Sequence, residues 1–266
     1  MESNRPAEFV EALAKGLAVL ECFDAAHPDM TLSDIARRTG VSPAAARRSL
    51  ITLTTLGYVG RNGKRFHLRP KVMSLGSGFY FAARIDEFMA PELRQIVEVH
   101  GDAASVAMLD GTDVVYIAHH STQRARRATA VVGARYPAHA TSLGRVLLAG
   151  LDGAALDAIL ARMEPVKLTS RTVTDKAELR GLILQSREQG YATTVDQLDY
   201  GITALAVPIR AADGRVVAAL NSSGYTGMVA PEDMVATRLA DLRAAASRLS
   251  AATSRIPALS AVLDGR

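Results

Sequence analysis

Between Thr31 and Phe66 the spacing of apolar and polar positions changes twice. Leu32, Ile35 and Ala36 recur at helical intervals. Gly40 ends that run, because glycine takes a left-handed C-terminal position without a Cβ clash. Ser42 can then cap a second helix, with Pro43 at the first position, where a missing N–H costs nothing. At about 100° per residue, Ala46, Leu50 and Leu53 share one face of that helix. Ala44, Arg48, Ile51 and Thr55 share the opposite face, flanked by Arg47 and Thr52. From Tyr58 to Phe66 the pattern becomes two short β runs around Arg61-Asn62-Gly63-Lys64, where Asn-Gly signals a tight turn. Two helices, a short turn and a hairpin predict a winged helix-turn-helix.

The flanking patterns extend this outline. Phe9 to Phe23 is an amphipathic helix with Leu13, Leu17, Leu20 and Phe23 on its apolar face, and residues 1–8 precede it as a frayed end. Val72, Leu75, Phe79 and Ala82 predict a linker helix over 71–83, in which Gly76 and Gly78 permit close helix–helix approach. Leu93, Ile96, Val97 and His100 predict another helix over 86–100. β-Branched runs then appear at Ala103–Leu109, Val114–His119 and Thr129–Val132, with Asp110-Gly111-Thr112-Asp113 as a hairpin turn. Thr141 or Ser142 opens a helix, and two more follow over 153–162 and 175–189. Strands return at Tyr191–Val195, Thr203–Arg210 and Val216–Ser222, and a helix from Pro231 to about Thr253 closes the chain. The fold class is therefore α+β, with a mostly antiparallel sheet in the second part. The predicted boundaries are 9–69 for the winged helix, 70–84 for the linker, 85–255 for the second domain and 256–266 for a tail.

Charge assigns the first domain a partner. Between Thr31 and Lys71 there are nine basic residues and one acidic residue, Asp34, a local net charge of +8. The whole chain carries +4, so the rest sums to −4. Such focusing is the footprint of a surface for double-stranded DNA. The candidate contacts are Ser42, Ala44, Arg47, Arg48 and Thr52 on the recognition helix, with Arg61, Lys64 and Arg65 on the wing.

Composition narrows the remainder. The single cysteine, Cys22, excludes an internal disulfide and reads as a small buried hydrophobe in a reducing cytoplasm. No apolar run reaches the roughly 18 residues of a membrane span, and no signal-peptide pattern opens the chain. His119 and His120 are adjacent on a strand and face opposite sides, so no metal site is expected. Arg124-Ala125-Arg126-Arg127 reads as a solvated hairpin tip. There is no G-x-S-x-G elbow, phosphate loop or dinucleotide fingerprint, hence no expected cofactor and no catalytic constellation.

A ligand site is expected around Thr141-Ser142-Leu143-Gly144, since a helix N-terminus offers N–H groups and partial positive charge to a carboxylate. Arg135 could clamp the same carboxylate, and Asp196 could accept from a ligand hydroxyl or from Arg135. Asn221 and Ser223 share a strand face. Each has a plainer account: Thr141 as an N-cap, Arg135 in a surface ion pair, Asn221 and Ser223 as ordinary strand polarity. His139 either touches ligand or caps its loop.

The chain resembles the IclR family of bacterial transcription regulators over nearly its whole length. The resemblance rests on Leu32-Ser33-Asp34-Ile35-Ala36 through Gly57-Tyr58-Val59, Ala140-Thr141-Ser142-Leu143-Gly144-Arg145, Leu205-Ala206-Val207-Pro208-Ile209, and Gly214-Arg215-Val216-Val217-Ala218-Ala219-Leu220. Arg47-Arg48, Gly133-Ala134-Arg135-Tyr136-Pro137 and Val195-Asp196-Gln197 point to the branch controlling aromatic-acid catabolism, the protocatechuate, β-ketoadipate and 4-hydroxybenzoate regulators. It implies a winged helix-turn-helix, a dimerising linker helix, a GAF/profilin-like effector domain, and a homodimer or dimer of dimers on operator DNA. It also implies an effector cavity lined by Arg135, Tyr136, Thr141, Ser142, Leu143, Gly144, Asp196, Ala204, Asn221 and Ser223, holding a small carboxylic acid of the protocatechuate, 4-hydroxybenzoate or β-ketoadipate class. Relatives tend to carry an acidic residue where Leu198 stands here. Two other readings stay open: a small-molecule enzyme with a basic docking domain, and a regulator with no effector.

Overall fold

The computed structural model describes residues 6–24, 26–82, 84–122, 131–255 and 263. The chain divides into two compact units, 1–78 and 79–266, so the division falls inside the expected linker rather than at either end of it. The basic cluster at Arg124, Arg126 and Arg127, the first two residues of the run at 129–132, and nearly all of the tail at 256–266 lie outside the described residues.

The first unit contains α1 (Glu11–Glu21), β1 (Asp29–Thr31), α2 (Leu32–Thr39), α3 (Pro43–Thr55), β2 (Val59–Asn62) and β3 (Arg65–Leu68). The strands form an antiparallel sheet in the order β1-β3-β2. A capping box fixes the start of α2: the Thr31 side chain accepts from the Asp34 N–H, and the Asp34 carboxylate accepts from the Thr31 N–H. Gly40 ends the helix at φ +67°. Ser42 caps α3 and Pro43 is its first residue. Ala46, Leu50 and Leu53 turn inward onto Val19, Met30, Ile35 and Val59.

Two expectations shift here. The core side of α1 is Val19, with Cys22 just beyond the helix, whereas Leu13 and Leu17 are 61% and 45% exposed. Only the C-terminal part of α1 meets the core, so the longer apolar stripe has no counterpart within this unit. In the wing, Asn62 pairs with Arg65, so the two-residue loop is Gly63-Lys64. The positive φ, +57°, falls on Gly63, the first loop residue.

Helix α4 (Met73–Ala82) crosses the unit boundary and buries none of its residues. The second unit adds α5 (Ile85–His100), β4 (Ala103–Asp110), β5 (Asp113–Ser121), β6 (Arg135–Pro137), α6 (Ser142–Ala149), α7 (Gly153–Arg162), α8 (Lys176–Gln189), β7 (Ala192–Val195), β8 (Ile202–Arg210), β9 (Val216–Tyr225) and α9 (Pro231–Arg255). Six strands form one sheet in the order β6-β5-β4-β9-β8-β7, with every pair antiparallel. α5 and α9 bury Leu93, Ile96, Leu242 and Leu249 against one face. α6, α7 and α8 bury Leu143, Leu147, Leu156 and Ile183 against the other. The strand expected from Thr129 begins instead at Arg135: Val131 and Val132 are exposed, and Ala134 turns back to bond Val131.

Candidate functional site

Space redistributes the positive charge of the first unit. Arg65 donates to both carboxylate oxygens of Asp29, at 2.8 and 3.1 Å, and so pins β3 to β1. Arg38 pairs with Asp24, and Arg37 with Asp34 at 2.7 Å. Lys71 donates to the Leu56 carbonyl at 2.8 Å and lies over the Tyr58 ring. Asp24 and Asp29 fall just outside the basic stretch in sequence but return to neutralise it. Arg65 thus clasps β3 to β1 and is not a free cation at the wing.

The cations left over, Arg69 apart, cluster on the recognition helix and wing tip. Arg47, Arg48 and Lys64 are exposed and have no ion-pair partner among the described residues. Arg61 donates to the Gly63 carbonyl at 2.7 Å and stacks on Phe66. Arg47, Thr54, Arg61 and Lys64 line a groove of about 590 Å³ between α3 and the wing. Ala44, Ile51 and Thr52 complete the outward face of α3. The Thr52 hydroxyl donates back to the Arg48 carbonyl at 3.1 Å, which leaves its methyl as the group for a partner. A convex face bearing guanidinium and methyl groups matches the major groove, where guanine presents acceptors and thymine a methyl.

In the second unit the polar groups lie inside. α6 packs across β4, β7, β8 and β9. Thr141 caps it by accepting from the Gly144 N–H at 2.9 Å, which leaves the Ser142 and Leu143 N–H groups without intrahelical acceptors. Two cross-strand rows run beneath: Ala192-Ala206-Asn221-Ser105-His119, and Thr194-Ala204-Ser223-Ala103. Ala192 and Ala206 belong to the core under α6, so both rows face that helix. Ser142 is 1% and Asn221 5% exposed, yet Ser142 Oγ and Asn221 Oδ1 have no hydrogen-bond partner among the described residues. Unmet polar atoms in the interior cost about 1–3 kcal/mol each.

The remaining expected site residues have other duties. Arg135 is turned back along β5 by the pairing of β6, and its guanidinium meets Asp110 at 2.5 Å and Asp113 at 3.3 Å. The plainer account of a surface ion pair is what the geometry gives. Tyr136 packs edge-on against Tyr116, with ring centroids 5.1 Å apart. Gly144 is required for packing, since a Cβ there would lie 2.1 Å from the Ala138 carbonyl oxygen. Asp196 sits at φ +53° and accepts from the Gly201 N–H at 2.6 Å and the Thr226 hydroxyl at 2.9 Å. It staples its own loop and does not meet Arg135. His139 is buried against the Val166 carbonyl at 3.1 Å and caps that loop.

Arg145 was missed by pattern reading. It is 4% exposed, donates to the Thr193 carbonyl at 3.2 Å and to Gln197 Oε1 at 2.5 Å, and its Nε is unpartnered. No carboxylate pairs with it among the described residues. Burial pushes its guanidinium down to about 10, so it is still cationic at neutral pH. The available signal was a charge inside an eight-residue helix whose other positions are small or apolar.

Comparison with known proteins gives concordant matches. Residues 82–251 match the family model for the bacterial transcriptional regulator IclR C-terminal domain, and residues 12–63 match the IclR helix-turn-helix domain. The chain is 38% identical over 228 residues to a Pca regulon regulatory protein of Pseudomonas putida, covering 85% of this chain and 78% of that protein. It is 31% identical over 253 residues to the p-hydroxybenzoate hydroxylase transcriptional activator of Acinetobacter baylyi, covering 93% of each. The crystal structure of an IclR homologue from Microbacterium hydrocarbonoxydans in complex with 4-hydroxybenzoate aligns with a TM-score of 0.72 at 25% identity, over 90% of this chain and 98% of that one.

Proposed function

The chain belongs to the IclR family of bacterial transcriptional regulators, and from that membership we propose that it binds operator DNA as a dimer and responds to a small aromatic acid. It is a DNA-binding regulator, not an enzyme. The effector reading draws on the relatives of the aromatic-catabolism branch and on the 4-hydroxybenzoate complex of the homologue. In this reading the recognition helix presents Arg48 and Arg47 to base edges and phosphate, while Lys64 at the wing tip adds a phosphate contact. Exposed Met73, Leu75, Phe79 and Phe81 on α4 provide apolar surface for the dimer contact.

The observation that carries the effector assignment is the presence of two buried, unpartnered atoms, Ser142 Oγ in the first turn of α6 and Asn221 Oδ1 on the sheet face that packs against it. A hydroxybenzoate supplies what they lack. Its carboxylate accepts from the Ser142 and Leu143 N–H groups and the Ser142 hydroxyl. Its phenolic hydroxyl donates to Asn221 Oδ1. Ala204, Thr141 and Ser223 border the ring in this reading. Binding of one dimer geometry in preference to another then alters half-site spacing.

A thermal-shift series tests this with 4-hydroxybenzoate, protocatechuate, β-ketoadipate and unsubstituted phenol. A ligand at a hundred times its Kd adds about 2.7 kcal/mol, which raises the melting temperature of a unit this size by roughly 5–11 °C. Either hydroxybenzoate should do so and phenol should not. Equal shifts from phenol, or none from any acid, would remove the effector assignment and leave the DNA-binding assignment intact.

A further inference from the structure

Arg145, on α6, donates to the Thr193 carbonyl of the edge strand β7 at 3.2 Å. It lines a second concavity of about 390 Å³, a volume suited to a small metabolite, bounded by α8, the edge strand β7 and the first turns of α9. Gln185 and Gln189 lie on the α8 side, and Leu182 and Val235 give the groove an apolar wall. Glu232, exposed in the first turn of α9, lines the same groove. Neither Arg145 nor Glu232 has an ion-pair partner among the described residues.

An arginine that is nine-tenths buried, short of one hydrogen bond and in no ion pair, with Glu178 acting on it only at a distance, is an anchor for a carboxylate. Glu232 in the same groove opposes a ligand carrying only negative charge and welcomes an ammonium group. We propose that this groove is a second ligand site, separate from the one at the N-terminus of α6, and that it takes a small zwitterion of the α-amino-acid type. The carboxylate accepts from the Arg145 guanidinium, the ammonium pairs with Glu232, and an aliphatic side chain covers Leu182 and Val235. Because Arg145 also holds Gln197 at 2.5 Å, an occupant of the groove bears on the Asp196–Gly201 loop. The proposal does not depend on the aromatic-acid assignment.

The test is calorimetric titration of the full-length protein with L-leucine. Two analogues each lack one charge: 4-methylpentanoate has no ammonium, and 3-methylbutylamine has no carboxylate. We expect saturable binding of L-leucine near one per chain with Kd of about 1 mM or tighter, and at least tenfold weaker binding of both analogues. Glu232→Gln, a substitution at an exposed position, should weaken L-leucine tenfold or more. Arg145→Lys keeps a cation but loses the fork, and should do the same. Saturating 4-hydroxybenzoate should leave the L-leucine stoichiometry unchanged. The proposal is overturned if L-leucine fails to saturate, if 4-methylpentanoate binds equally well, if Glu232→Gln binds as wild type, or if 4-hydroxybenzoate competes with L-leucine. Failure of 4-hydroxybenzoate to bind, with L-leucine binding intact, would remove the effector assignment and leave this one standing.

Discussion

The two units of this regulator keep polar groups without partners in opposite surroundings. On α3 and the wing, Arg47, Arg48 and Lys64 stand in water, where an unpaired charge is solvated at little cost. Around α6, Ser142 Oγ, Asn221 Oδ1 and Arg145 Nε are unpaired away from water, where each costs about 1–3 kcal/mol. The first arrangement suits a partner that brings many charges and releases counterions. The second suits a small partner that brings a few well-placed atoms. Exposure therefore separates the proposed duplex-binding surface from the proposed ligand site more sharply than residue type does.

The largest effect expected from breaking this contrast is at Gly144. If it serves packing rather than ligand, Gly144→Ala forces its Cβ on the Ala138 carbonyl and displaces the turn at Ala138–Ala140. Overpacking of this kind costs about 3 kcal/mol, a fall of roughly 6–12 °C in the melting temperature of the second unit. Calorimetry without any ligand checks it. An unchanged transition would return Gly144 to the ligand-binding set.

On the exposed side, Arg48→Ala should weaken operator binding by about 1–3 kcal/mol and relax preference at one base pair. Lys64→Ala should weaken all sequences alike and reduce the slope of log K against log salt by about 0.9. Arg65→Ala should leave that slope nearly unchanged and instead loosen β3 from Asp29. Fluorescence anisotropy on matched and scrambled duplexes over a salt series distinguishes the three.

Much of this was legible in the sequence where local chemistry decides the outcome. Gly40, and Ser42 with Pro43, each set a helix end by capping, and capping acts within four residues. Alternating strand polarity likewise placed Asn221 and Ser223 on one face. What escaped depends on contacts distant in sequence. Arg65 reads as a free cation until β1 brings Asp29 beside it, 36 residues earlier. Arg135 reads as a neighbour of Thr141 until β6 pairs with β5 and returns it to Asp110. Arg145 reads as part of a motif until the fold buries it with no carboxylate in direct contact among the described residues.

In the buried site, Ser142→Ala removes a hydroxyl that has no partner. The ligand-free protein should be unchanged or stabilised by about 1 kcal/mol, a rise of roughly 2–4 °C. The shift produced by 4-hydroxybenzoate should shrink in the same variant. A drop in ligand-free stability would mean that Ser142 Oγ is satisfied, and the contrast between the units would lose its buried half.

The smallest effect expected is a separation of the two units in acid. Burial holds the imidazoles of His119 and His139 below their ordinary value of 6.5. Their unfolded forms then bind protons more readily than their folded forms as pH falls. The stability they contribute is present above pH 6.5 and is lost as pH drops through their lowered folded values. In the first unit the depressed groups are carboxylates: Asp24 held down by His27, Asp29 by Arg65 and Asp34 by Thr31, each below an ordinary value of 3.8. Their contribution persists until the pH falls below 3.8. Calorimetric scans of the full-length protein from about pH 8 to about pH 5 should therefore lower the transition of the second unit and leave that of the first in place. Transitions that move together across that range would show that the buried histidines do not set the acid response, and that both units answer to the same exposed groups.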